Sequence, residues 1–166
     1  MNRWRGTEDV EGVDILKSCF PYLLPLCDGD HFGRYIYHDI PPLGFLDALF
    51  IGPLSEFVTG VPFLGVILFV ALTLGTRSNT EMSWNVRFNA QQAALLDVAL
   101  IVPELIGSAF EGQDVPRYIQ APCMNFVWYC YMAMALYSIY SNVVLRKRPD
   151  QIPFISSYAT AMTGPI

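Results

Sequence analysis

Asn89, Gln92, Asp97 and Glu104 are the residues of this chain best placed to do chemistry. At about 100° per residue, Asn89, Ala93, Asp97 and Glu104 share one helical face, with Gln92 at its edge. The segment Arg87-Phe-Asn-Ala-Gln-Gln-Ala-Ala-Leu-Leu-Asp97 runs directly into Val98-Ala-Leu-Ile-Val102, which reads as a membrane helix. An Asp near mid-bilayer costs roughly 3 kcal/mol on insertion scales, so such side chains are expected to face a bundle interior or a water-filled path. The stripe is therefore a candidate pore lining or subunit seam. Its chemistry is hydrogen bonding and wetting. Nothing points to catalysis: Ser55, Ser138 and Ser141 have no base at diagnostic spacing, and neither a GxSxG elbow nor a phosphate-cradling glycine loop occurs. His31, His38 and Asp39 lack the helical i, i+4 pairing of a metallohydrolase, so neither a metal nor a cofactor is expected. Cys19, Cys27, Cys123 and Cys130 are too widely spaced for CxxC chemistry and read as small buried hydrophobes.

The elements that must hold this stripe are apolar helices. With 53% hydrophobic and 15% charged residues, the chain is poorer in charge than an ordinary domain at roughly 25%. Pro122 to Leu145 carries no charged side chain, and as a helix it would measure ~36 Å against the ~30 Å of hydrocarbon in a bilayer. The fold class is all-α, a polytopic membrane protein with four transmembrane helices and an N-terminal interfacial or half-buried helix. Ile15 to Cys27, short and holding Lys17, Pro21 and Pro25, is that N-terminal helix. Asp28 to Gly33 is a turn with an acidic tip, and Arg34 to Ile40 an amphipathic helix ended by Pro41-Pro42. Leu43 to Thr59 and Val61 to Thr76 form a tight hairpin of two spans. Arg77 to Val86 is a loop, and Phe88 to Gly107 is the third span with a kink at Pro103. Ser108 to Ala121 is an outer loop bearing Glu111, and Pro122 to Leu145 is the fourth span. On it Cys123, Cys130, Met134, Tyr137 and Ser141 share a face suited to close helix packing. Three segments result: 1–42 N-terminal, 43–145 transmembrane and 146–166 a polar, flexible tail. Met1 to Asp14 has no apolar core and is not acid-poor, so no cleavable targeting segment is expected there.

Charge placement supports that count. Four spans put Arg3, Arg5, Lys17, Arg34, Arg77, Arg87, Arg146, Lys147 and Arg148 on one side and leave Arg117 opposite, a strong positive-inside asymmetry. Both termini then lie on the cytosol-like side. The cluster Arg146-Lys147-Arg148 is read as a topology determinant and a contact for anionic lipid. No basic, aromatic-interleaved tract suggests nucleic acid.

The block Arg87 to Asp97 resembles the RFNxxQAxLLD signature of the twenty-kilodalton subunit of the translocon at the inner envelope membrane of chloroplasts. Pro21-Tyr-Leu-Leu-Pro-Leu26 with Asp28-Gly, Phe32-Gly-Arg34-Tyr and Val61-Pro-Phe-Leu-Gly65 is similar to other blocks of that family, over roughly Val13 to Leu145. Arg77-Ser-Asn79 departs from the family's usual valine–arginine–asparagine run, and Trp4-Arg-Gly6 is similar to cyanobacterial relatives. The resemblance implies a multi-pass subunit of the plastid inner envelope, or of a cyanobacterial inner membrane, with both termini in the stroma in the plastid case. It implies work alongside larger translocon subunits and membrane lipids. An unfolded preprotein would be the cargo of a channel that the chain forms or helps to form. The alternative is a non-conducting scaffold that holds larger subunits together.

Overall fold

The computed structural model describes residues 12–79, 81–110 and 114–164; Arg3, Arg5, Glu111 and the Trp4-Arg-Gly6 motif lie outside them. Every regular element among the described residues is helical. Two long helices form the frame: α8 (Trp84–Ala109) and α9 (Arg117–Val143). They run antiparallel, because Asn142 meets Asn89 and Ser138 meets Gln92. Ahead of them come α1 (Val13–Cys19), α2 (Leu23–Asp28), α3 (Arg34–Asp39), α4 (Pro41–Leu49) and α5 (Ile51–Gly60). α6 (Leu64–Val70) continues through a wide π turn at Ala71–Gly75 into a last turn, α7 (Thr76–Ser78). α10 (Ile155–Thr163) closes the chain.

The N-terminal segment extends farther than expected. It is half-buried, with Ser18, Tyr22 and Leu24 turned inward and Val13, Leu16 and Phe20 exposed, and it runs on along the whole of α9. Lys17 borders the same open groove as Glu81 and Ser83, just ahead of α8. The Tyr22 hydroxyl donates to Asn89 Oδ1 (2.9 Å), and Gly29 lies under the Tyr131 ring. Farther along, Trp128 Nε1 donates to the Tyr37 hydroxyl (3.0 Å) and the Tyr35 hydroxyl to Gln120 Oε1 (2.8 Å). Arg117 and Asp39 close the far end at 3.5 Å. From Asn142 to Arg117 this ladder covers roughly 37 Å of helix. The physical reason lies in the breaks. Tight turns at Phe20–Tyr22 and Asp30–Gly33 divide the stem into helices of six or seven residues. No piece is long enough to cross a bilayer by itself. Asp28 to Gly33, expected as an acidic-tipped turn, lies at mid-height, with Phe32 and Gly33 buried.

Among the described residues, length and composition alone qualify one helix, α8, to cross a bilayer, and a second if α4 and α5, bent by 54°, count as one broken span. The α6–α7 stretch, Leu64–Ser78, is apolar but shorter. α9 is as long as α8, yet Gln120, Asn125, Asn142 and its tyrosines dilute its hydropathy. The expected count of four spans is not reached by these criteria.

Two further expectations change. The tail is not a free polar end: Arg146 and Phe154 take left-handed backbone (φ 50 and 63) and turn it back. α10 then packs on α8, burying Ser156, Ala159 and Thr163. The buried residues of α9 are Trp128, Tyr131, Ala135, Ser138, Ser141 and Asn142, so of the expected face Ser141 is buried and Met134 packs against the Tyr22 cluster. Cys123 and Cys130 point outward and are exposed, Cys19 is half-buried, and Cys27 alone among the cysteines is buried.

Candidate functional site

The polar stripe of α8 divides into two halves with different surroundings. Its first half is closed. Asn89 and Gln92 are fully buried, and their amides sit in a network joining four parts of the chain. Asn89 Oδ1 accepts from the Tyr22 hydroxyl (2.9 Å) and from Asn142 Nδ2 (2.8 Å). Its Nδ2 donates to Asn85 O (2.8 Å) and to Asn142 Oδ1 (3.3 Å). Gln92 Nε2 donates to the Tyr22 hydroxyl (3.1 Å) and Ser138 Oγ (3.2 Å), while Ser156 Oγ donates to Gln92 Oε1 (2.8 Å). A buried amide left unpaired costs about 1–3 kcal/mol, so this mutual satisfaction makes the cluster a fastener for the N-terminal stem, α8, α9 and α10. Ala93, on the same face, is also wholly buried and lets Tyr22 and Leu96 pack.

The second half is open. Asp97 faces Asp28 of α2, and together with Glu104 they line a groove of about 470 Å³ between α8 and the α5–α6 hairpin. The opposite wall is apolar: Val58, Pro62, Phe63, Val66 and Phe69. Asp97 is half-buried, and its Oδ1 has no partner among the described residues. Glu104 is exposed. The four stripe residues thus do not share one environment.

A second acidic spot lies behind α3. Asp30 accepts from the Tyr37 hydroxyl (3.0 Å), and Asp47 of α4 faces the same pair. Close approach here depends on Gly33. A Cβ there would lie 2.6 Å from Trp128 Nε1, and one at Gly29 would lie 2.8 Å from the Tyr131 ring. The spacing of these two glycines on a segment crossing α9 resembles small-xxx-small packing.

The basic residues divide as well. Arg87 Nη2 donates to Thr163 O (2.6 Å) and Trp84 Nε1 to Gly164 O (3.0 Å), so the α8 N-terminus holds the C-terminal end of α10. Arg148 lies 4.6 Å over the Trp84 ring and 5.4 Å from Phe88, and pairs with Asp150 at 3.8 Å. Its neighbours Arg146 and Lys147 are exposed. His31 Nδ1 meets Asp28 O (3.0 Å), and His38 Nδ1 meets Asp39 Oδ1 (3.0 Å).

Gln91 was not among the stripe residues, being on another face of α8, yet it is fully buried. Its Nε2 donates to Thr73 O (2.8 Å) in the π turn and to Thr76 Oγ1 (3.1 Å) at the start of α7. The signal that could have found it was an amide beside Gln92 that no single amphipathic face could explain.

Comparison with known proteins places this arrangement. The family model described as chloroplast import apparatus, Tic20-like, matches residues 15–159. Protein TIC 20-v, chloroplastic, of Arabidopsis thaliana is 33% identical over 111 residues, covering 66% of this chain and 52% of that protein. The chain therefore spans about half the length of that relative. Protein TIC 20-II, chloroplastic, of the same plant is 33% identical over 86% of this chain and 68% of its own length. A Tic20 family protein of Synechocystis is 31% identical over 90% of this chain and 92% of its own. No solved structure matches. A match that runs from α1 into α10 takes in the stem, the closed amide centre and the groove alike, and on it the chain belongs to the Tic20 family of the chloroplast import apparatus.

Proposed function

We propose that this chain is a subunit of the protein translocon of the plastid inner envelope, helping to form the channel by which unfolded preproteins reach the stroma. The observation that carries this reading is the unequal division of the α8 stripe. Asn89 and Gln92 spend their hydrogen bonds on their own chain, whereas Asp28, Asp97 and Glu104 border an open groove. A wall that is acidic on one side and apolar on the other suits a moving polypeptide, which must be wetted without being held tightly. A groove of about 470 Å³ in one copy is too small to enclose such a chain. The path then forms between this subunit and its neighbours.

The topology that goes with this reading has four crossings and both termini on the stromal side. The N-terminal stem makes the first, α6–α7 the second, α8 the third and α9 the fourth, while α4–α5 dips in as a re-entrant pair. This arrangement moves Arg34 beside Arg117 and leaves eight of the ten basic residues on the stromal side, still a positive-inside pattern. The exposed apolar residues of α8, among them Val102, Leu105 and Ile106, would meet lipid or other translocon subunits.

A non-conducting scaffold that holds larger subunits together is the second reading, with the exposed apolar residues of α8 as its contact surface. Cysteine crosslinking in the complete translocon separates the two. A preprotein arrested in transit should crosslink to Asp97→Cys and Glu104→Cys and not to Ala93→Cys, which is buried in the closed half. Crosslinks from Asp97→Cys and Glu104→Cys to partner subunits alone would leave the scaffold.

A further inference from the structure

We infer that Gln91 is a positioning residue that clamps the π turn at Ala71–Gly75 and thereby sets the α5–α6 hairpin against α8. A π turn inside an α-helix disturbs the regular ladder of carbonyl acceptors and bends the helix, and such turns recur at functional sites. Here three hydroxyls bond back within the same stretch: Thr73 to Phe69 O (2.8 Å), Thr76 to Leu72 O and Ser78 to Leu74 O. These local bonds settle the turn only from within. The turn packs on α8, and the polar link there is the Gln91 amide, which from a wholly buried position donates to Thr73 O at 2.8 Å, to Thr76 Oγ1 at 3.1 Å and, more weakly, to Leu72 O at 3.5 Å.

The leverage follows from the chain path. Immediately before the π turn lie Phe69 and Val66, which line the apolar wall of the groove, and before them the hairpin bend at Pro62 and Phe63 (φ 63). The other arm of the hairpin packs along α2 of the stem, where Ser55 Oγ donates to Cys27 O (2.8 Å). The wall opposite Asp97 and Glu104 is thus held at its base by Gln91. Loosening that base lets the hairpin swing from α8 and widens the groove without disturbing the Asn89–Gln92 centre, which faces the other way. The inference concerns how the groove is gated, and it stands whether or not the groove meets a preprotein.

Two readouts on the full chain in lipid nanodiscs test it. Gln91→Met keeps the volume and removes the donor. It should speed amide hydrogen exchange of residues 71–78 by about tenfold, the loss expected for a buried amide clamp, while α10 and the Tyr22 turn stay protected. The second readout uses the buried Cys27 as a native reporter beneath the hairpin, with Cys19, Cys123 and Cys130 changed to Ser. Its labelling by a small maleimide should accelerate by a similar factor. If Gln91→Met does not fold, Thr76→Val removes one of the Gln91 acceptors and should give the same local pattern at smaller amplitude. Exchange that rises evenly over the whole protein, or does not change, would overturn the inference, as would unchanged Cys27 labelling.

Discussion

Asn89 and Asn142 bind each other in both directions, amide to carbonyl, inside a centre that excludes water. Asn89→Leu removes three neighbours' partners at once: the Tyr22 hydroxyl, the Asn142 amide and the Asn85 carbonyl. It should destabilise the fold by about 2–4 kcal/mol, the cost of orphaned buried polar groups. Adding Asn142→Leu should recover part of that loss, giving a coupling of about 1–2 kcal/mol in a double-mutant cycle read by thermal melting. Strict additivity of the two changes would remove the centre from the account. Much of this was legible in the sequence. Asn89, Gln92, Asp97 and Glu104 announced themselves because amides and acids are costly in an apolar helix. The sequence did not reveal that they divide, since Tyr22, Ser138, Asn142 and Ser156, the partners that close the first half, lie 46 to 70 residues from Gln92 or Asn89.

At the scale of elements, α8 and α9 were visible as long low-charge runs, and the structure extends both toward their N-termini: Ser83 caps α8, accepting from Val86 N, and α9 follows Pro116. The N-terminal stem escaped because each of its helices is short and its acids interrupt the apolar run. A length criterion applied piece by piece cannot register a stem made of pieces. The α10 dock escaped for another reason: its anchors are a serine hydroxyl and two backbone carbonyls, which carry no compositional signal. The stem's contact with α9 is most sensitive at Gly33. A Cβ there collides with the Tyr37 ring at 2.4 Å and with Trp128 Nε1 at 2.6 Å. Gly33→Val should lower stability by about 1–3 kcal/mol through overpacking. It should also blue- or red-shift Trp128 fluorescence in a variant keeping Trp128 as the sole tryptophan, as the indole loses its bond to Tyr37. An unshifted spectrum and melting temperature would mean that the stem does not press on α9.

For the whole molecule, family membership and helical architecture agree with a subunit of an import machine. The crossing pattern decides how its acids are presented. If Val13–Asp39 traverses the membrane, Asp28 and Asp30 are brought to mid-depth, where Asp28 meets Asp97 and Asp30 meets Asp47. Sidedness of single cysteines toward a membrane-impermeant maleimide, in oriented vesicles of the cysteine-free protein, tests this most directly. The account predicts that Lys17→Cys labels from the same side as Lys147→Cys, and that His38→Cys labels only from the opposite side, together with Arg117→Cys. Labelling of Lys17→Cys and His38→Cys from one side would contradict it.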